Sequence, residues 1–111
     1  MGKGNKIYTC PIDLTIDVIG GKWSMWIIWS LLEKELRFGE LKRCIPNITE
    51  KMLIQQLRLL ESFQVISRKV YTQVPPKVEY SLTDRGKKLK PILMSIREWG
   101  IEHLHQISAN E

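Results

Sequence analysis

The sequence predicts a small, mainly α-helical domain that carries one β-hairpin, and three observations support this fold class. Apolar residues recur at three- and four-residue steps through much of the chain, as they do in amphipathic helices. Two segments of alternating apolar and polar residues, 66–74 and 78–82, flank Pro75 and Pro76, which cannot donate ladder hydrogen bonds and therefore mark a hairpin tip. The 111 residues suffice for one domain. We expect this single domain to span residues 10–107 and to follow a flexible segment over residues 1–9.

Two helices are predicted at the start of this domain, separated by a glycine pair. Cys10 and Pro11 begin the first helix, because proline suits the first helical turn, and Gly20 and Gly21 end it. The second helix is expected over residues 22–34. It has apolar residues on several faces, so we expect it to be largely buried at the centre of the core.

A helix-turn-helix is predicted next in the chain. A short helix over residues 39–45 is ended by Pro46, and Thr49 is a good N-cap for a longer helix over residues 50–63. A short helix, a tight connection and a longer helix form the helix-turn-helix arrangement. Because the predicted hairpin follows directly, the whole pattern indicates a winged helix-turn-helix.

A last helix is predicted after the hairpin. Thr83 is suited to cap it, and Asp84 in its first turn complements the helix dipole. Pro91 lies within the helical pattern and predicts a kink or a break near Lys90.

The net charge of +5 is concentrated in the middle of the chain. Between Arg37 and Lys90 there are twelve Lys or Arg and five Asp or Glu, whereas the two ends are slightly acidic. A basic centre between near-neutral ends favours a polyanion partner, and an ordinary solvated basic surface is the alternative. The sequence shows neither a membrane-spanning stretch nor a signal peptide. We therefore expect a cytoplasmic protein without a membrane partner.

No enzyme, metal or cofactor site is expected. The sequence lacks a Gly-rich phosphate loop, a GxSxG motif and paired carboxylates in a plausible site. Cys10 and Cys44 do not have the spacing of zinc ligands, and His103 and His105 face different directions on a helix.

The predicted helix over residues 50–63 has two distinct faces. Leu53, Leu57 and Leu60 share one face, and polar residues lie opposite. In a major groove, Gln can pair with adenine and Lys or Arg with guanine, and the N-terminal part of such a helix enters that groove. An amphipathic helix with a merely solvated face is the alternative. The candidates for DNA contact are Thr49, Lys51, Met52, Gln55, Gln56 and, for phosphate, Arg58.

The hairpin that follows is basic and is interpreted as a wing. Such a hairpin can reach phosphates or the adjacent minor groove, although exposed edge strands also use Lys for solubility. A rival interpretation is a winged helix that only docks other proteins. In such a protein-docking module, the exposed face of the helix over residues 50–63 would be more apolar than it is here, because the cores of protein interfaces are depleted of charge. The candidate wing contacts are Arg68, Lys69, Tyr71 and Lys77.

Taken in order, these segments resemble the HxlR family of winged helix-turn-helix transcription regulators. The resemblance rests on CPIDLTIDVIGGKW, RFGELKRCIPNITEKMLIQQLRLLE, VPPKVEYSLTDRGKKL and EWG, and it extends from Cys10 to about Leu104. It implies a homodimer that binds a two-fold-symmetric operator in double-stranded DNA, and we expect a repressor. It also implies DNA-contact roles for the candidates on the recognition helix and the basic wing. Cys44 departs from the family, where a basic or polar residue is usual.

The resemblance implies a dimer interface built from the N- and C-terminal helices, and the residue pattern agrees. The last helix carries more apolar surface than a thin monomer can cover, and this surface would form an exposed patch if unpaired. The expected interface residues are Ile12, Ile16, Ile19, Ile92, Ile96, Trp99 and Leu104.

Cys10 is a candidate sensor of oxidants or electrophiles, because some members of the family use the matching cysteine in this way. The dipole at a helix N-terminus favours the thiolate, which is the reactive form. No second cysteine lies nearby in sequence, so sensing would use a disulfide between subunits. A small buried side chain without chemistry is the alternative. A small apolar effector between the helices is also compatible with the sequence, but no residue identifies it.

Overall fold

The computed structural model describes residues 6–108, and this range forms six helices and three strands. The order of elements confirms the predicted winged helix-turn-helix, with a helix-turn-helix formed by the third and fourth helices and a wing formed by the last two strands. In chain order the elements are α1 (Pro11–Ile19), α2 (Ser24–Ser30), β1 (Leu36–Arg37), α3 (Phe38–Cys44), α4 (Glu50–Ser62), β2 (Ile66–Tyr71), β3 (Lys77–Leu82), α5 (Asp84–Lys87) and α6 (Lys90–Ser108).

The segment before α1 is anchored to the domain by polar contacts. The Tyr8 hydroxyl donates to Asp17 Oδ2 at 2.6 Å, and Lys6 Nζ lies 3.2 Å from the same oxygen. Burial and then the hydrogen bond to Asp17 raise the pKa of Tyr8 to about 12. Of the segment expected to be flexible, Lys6 and Tyr8 are therefore attached to α1, and residues 1–5 lie outside the described residues.

Helix α2 is shorter than predicted. It spans Ser24–Ser30 rather than residues 22–34, because the backbone still turns at residues 21–23 and turns again after Ser30. The second turn has a packing reason. Leu31 and Leu36 are both buried, so the chain leaves the helix axis between them to place Leu36 in the sheet.

The turn of the helix-turn-helix is defined by two local features. Asn47 has a φ of 67°, in the left-handed region that Asn tolerates better than most residues. Thr49 then caps α4, as predicted, because its Oγ1 accepts a hydrogen bond from the Met52 backbone N–H at 3.1 Å. Both features fix where α4 begins relative to α3.

The sheet has three antiparallel strands in the order β1-β3-β2. The predicted hairpin is confirmed, but β2 ends at Tyr71, earlier than the predicted residue 74. β1 is a short edge strand, and its Leu36 pairs with Tyr80 of β3. A two-residue strand carries no measurable alternation, so periodicity alone could not predict it.

One contiguous core joins the helices to the sheet. It centres on α2, α3 and α4, whose Ile27, Ile28, Leu41, Leu53 and Leu60 are fully buried. No helix among the described residues is long and apolar enough to cross a bilayer.

The predicted break in the last helix is confirmed. Helix α5 ends at Lys87, and α6 starts at Lys90 with Pro91 as its second residue, where proline removes no helical hydrogen bond.

Gly86 in α5 is required by packing. A Cβ at this position would collide with the Val65 carbonyl, so the glycine lets α5 approach the segment between α4 and β2 closely.

Candidate nucleic-acid interface

The two faces predicted for α4 are present in the structure. Leu53, Leu57 and Leu60 are buried and attach the helix to the core. Four of the predicted DNA contacts, Thr49, Lys51, Gln55 and Arg58, are exposed along the other side. The buried leucines therefore fix the direction in which this polar face points.

Met52 and Gln56, which were also predicted to contact DNA, are only partly exposed. Met52 packs against the core, and Gln56 Nε2 lies 4.0 Å from its sulfur. The Ser24 hydroxyl of α2, which is 1% exposed, donates to Gln56 Oε1 at 3.3 Å. These contacts occupy part of each side chain with the protein itself. The two residues lie at the boundary between the faces, where helical periodicity alone could not assign them.

The predicted wing residues are divided between the two faces of the sheet. Arg68 pairs across the strands with Tyr80. It lies on the sheet face that contains the buried Ile66 and Leu82. The Arg68 Nε is 4.0 Å from Glu61 Oε2 on α4. Arg68 is thus the wing residue that lies beside α4. Glu61 was not among the predicted site residues, because an acidic residue on a candidate DNA-binding helix gives no positive signal.

Lys69, Tyr71 and Lys77 lie on the opposite face of the sheet. The Tyr71 ring is flanked by two ammonium groups, with Lys69 Nζ at 4.8 Å and Lys77 Nζ at 4.7 Å from its centroid. Lys77 Nζ is also 3.3 Å from Glu79 Oε2. A hydrogen bond from Tyr71, and then the contact with Lys77, hold the pKa of Glu79 below its ordinary value. This face is a compact ionic cluster rather than a row of free cations.

The alternation of a strand explains the separation. Successive residues point to opposite faces, so the neighbours Arg68 and Lys69 cannot share a surface inside β2. That signal was available in the sequence, since both residues lay inside the predicted strand.

Most residues predicted for the dimer interface are exposed in the single chain. Ile12 on α1 is 68% exposed and Trp99 on α6 is 60% exposed, and Ile16, Ile92, Ile96 and Leu104 are exposed too. Of the nineteen residues of α6, Leu93 is the one buried against the domain. Four apolar side chains not predicted for the interface are also exposed on or near these helices, namely Ile7, Leu14, Ile101 and Ile107.

Ile19 requires a correction. It was predicted to lie on the dimer interface, but it is 9% exposed and belongs to the core of its own chain. It is the last residue of α1, where the chain turns inward at Gly20, so its side chain packs within the domain together with Val18.

Cys10 occupies the N-cap position of α1. Its backbone is extended, its carbonyl accepts from the Leu14 N–H at 3.2 Å, and its side chain is partly exposed. It carries a free thiol, as does the exposed Cys44. The structure thus places a partly accessible thiol at the start of a helix.

A helix-turn-helix followed directly by a hairpin, with a polar second helix fixed on an apolar core, defines the class of winged helix-turn-helix transcriptional regulators. The chain belongs to the HxlR family: the family model of HxlR-like helix-turn-helix proteins matches residues 18–108. This confirms the resemblance found in the sequence.

Known relatives match the chain over nearly its whole length. The HTH-type transcriptional regulator YkvN of Bacillus subtilis (strain 168) is 54% identical over 95 residues, which cover 86% of this chain and 80% of YkvN. The redox regulator HypR in its reduced form superimposes with a TM-score of 0.85 at 44% identity, covering 90% of this chain and 99% of that one. Its oxidized form gives a TM-score of 0.79 at 48% identity, with coverages of 84% and 96%. The protein is therefore a transcriptional regulator.

Proposed function

We propose that this regulator binds double-stranded DNA sequence-specifically through α4 and acts as a repressor. The observation that carries the proposal is the exposed polar face at the N-terminal half of α4, where Lys51 and Gln55 lie one turn apart. A helix of this kind docks in the major groove with its N-terminal residues against base edges. The basic centre of the chain supplies attraction to the phosphates.

The exposed side chains of α4 and the wing are suited to different parts of the DNA, some to bases and others to phosphates. Gln55 can form a two-point contact with adenine, and Lys51 can donate to guanine O6 or N7. Arg58, one turn later, is suited to a phosphate, as is Arg68 beside the helix. Thr49 still has its hydroxyl hydrogen for a phosphate or base acceptor, because its oxygen serves the cap.

On the wing, we propose that Lys69, Tyr71 and Lys77 contribute to the electrostatic attraction of DNA from the second face of the sheet. Their mutual contacts keep two lysines beside one tyrosine ring, with a single carboxylate nearby. Such a cluster retains a net positive charge and can attract DNA phosphates without contacting a base.

The operator is proposed to be two-fold symmetric, because two copies of the chain would present two α4 helices. The proposed interface combines α1 and α6, whose exposed isoleucines and Trp99 would otherwise leave an apolar patch in water. A bound dimer can repress by occupying a promoter in the cytoplasm, which requires no further contact surface.

A second proposed property is a response to oxidants through Cys10. It is supported by the position of the thiol at the α1 N-terminus and by the similarity to HypR, a redox regulator solved in oxidized and reduced forms. A peroxide would oxidise the thiolate to a sulfenic acid, which condenses with a thiol of a second copy and releases water. Cys10→Ser should abolish any oxidant-dependent change in DNA affinity while leaving reduced binding intact. An unchanged response in Cys10→Ser would contradict this role.

Fluorescence anisotropy tests the DNA-binding proposal. The chain is titrated with a duplex selected from a randomised pool and with its scrambled counterpart, each at two salt concentrations. We expect tighter binding to the selected duplex, a steep salt dependence, and a loss of affinity in Lys51→Ala. Lys22→Ala, which removes the same charge from the exposed turn between α1 and α2, is the control and should bind normally. Weak, sequence-independent binding that Lys51→Ala does not change would instead favour a protein-docking module.

A further inference from the structure

A groove between α2 and α6 is unrelated to the polar face of α4. Its volume is about 390 Å³, within the range of small-molecule sites. The lining is strongly apolar with one cation at its side. Three residues come from each helix: Met25, Trp26 and Trp29 from α2, and Leu93, Ile96 and Arg97 from α6, of which Ile96 also belongs to the proposed dimer interface.

The two tryptophans are the unusual part of this lining. Trp26 is 49% exposed and Trp29 is 39% exposed, although neighbouring Ile27 and Ile28 of the same helix are fully buried. The helix therefore directs two large aromatic rings out of the core and into the groove. Aromatic rings in this position offer flat surfaces on which another planar group can stack.

The groove is cationic at one end. Trp29 and Arg97 also border an adjoining cavity of about 590 Å³, which adds Lys34 and Lys90 and only one carboxylate, that of Glu33. Arg97 forms no ion pair with any residue of the described range. Its guanidinium is therefore free to receive an anion from outside the chain.

We propose that the α2–α6 groove binds an organic anion that has a planar apolar body and one carboxylate. The body stacks against Trp26 and Trp29 between the two helices. The carboxylate meets the Arg97 guanidinium, whose fork of donors matches two carboxylate oxygens, while Lys34 and Lys90 add longer-range attraction. This charge pattern selects an anion over a neutral molecule of the same shape.

The test compares two probes that share a naphthalene ring and differ in the polar group, which is a charged carboxylate in one and a neutral hydroxymethyl group in the other. 2-Naphthoate and the neutral 2-naphthalenemethanol are titrated into the full chain by calorimetry, in the absence of DNA. We expect the acid to bind at least about tenfold more tightly than the alcohol, the effect of one charge-assisted hydrogen-bonded pair. Arg97→Gln should remove this difference. Arg43→Gln, an equal charge change on exposed α3, should preserve it.

The indole N–H resonances of the four tryptophans locate the site. Binding should shift the signals of Trp26 and Trp29, assigned with the Phe variants, and leave Trp23 unchanged. Equal binding of acid and alcohol, full acid binding by Arg97→Gln, or shifts confined to other tryptophans would overturn the proposal. The absence of binding by either probe would also overturn it.

Discussion

The Ser24 hydroxyl, buried in α2, donates to Gln56 Oε1 on α4 at 3.3 Å. This bond joins the centre of the core to the helix proposed to read DNA. Met52, one turn earlier on α4, packs against the core and lies beside the Gln56 amide. The buried leucines fix the direction of the exposed face, and the bond between Ser24 and Gln56 adds a polar link between α2 and α4.

Ser24→Ala should destabilise the domain by about 1 kcal/mol, because it leaves a partly buried amide oxygen without its donor. The double variant Ser24→Ala with Gln56→Ala should cost less than the sum of the single changes, as expected for residues in contact. Urea unfolding measures all three. Ser95→Ala on exposed α6 is the control, and a Ser24→Ala effect no larger than this control would contradict the role of the bond.

Gly86→Ala should be strongly destabilising, because the new Cβ would press into the Val65 carbonyl. Overpacking of this kind typically costs about 1–3 kcal/mol. Gly100→Ala provides the opposite control: nothing lies within 4 Å of its Cβ, and alanine favours the interior of a helix. Thermal unfolding should show a lower Tm for the first variant and an unchanged or higher Tm for the second. A similar change in both would refute this packing argument.

Arg68→Ala should weaken DNA binding more than Lys69→Ala does. Arg68 lies on the sheet face beside α4, whereas Lys69 is on the other face against the Tyr71 ring. Loss of one phosphate contact should lower the salt slope by about one unit in Arg68→Ala. Anisotropy at a series of salt concentrations measures both quantities. Equal losses in the two variants would show that the wing approaches DNA differently.

Trp99→Glu should shift the chain from dimer to monomer in sedimentation, because it places a charge within the proposed apolar interface. Val70→Glu is a matched control, since Val70 is similarly exposed but lies on the wing. A dimer that persists in Trp99→Glu, or a chain that is already monomeric at micromolar concentration, would contradict the proposed interface.

The sequence predicted those features that depend on strong local periodicity or on a special residue. The buried face of α4, its cap at Thr49 and the break before Pro91 all follow from such signals. The end of α2 did not, because only the packing of Leu36 in the sheet ends that helix early. Ile19 was misjudged because it lies at a boundary where tertiary contacts decide burial, and a contact of the same kind leaves Gln56 only partly exposed.

The central claim, that the exposed face of α4 reads bases, is tested most directly by comparing two adjacent glutamines. Gln55 is exposed, whereas Gln56 is bonded to Ser24. Binding of each alanine variant to a library of single-base changes in the selected duplex gives a specificity profile. We predict that Gln55→Ala loses discrimination at one position per half-site, worth about 1–3 kcal/mol, while Gln56→Ala keeps the profile. An unchanged profile in Gln55→Ala, with discrimination lost only in Gln56→Ala, would contradict the account.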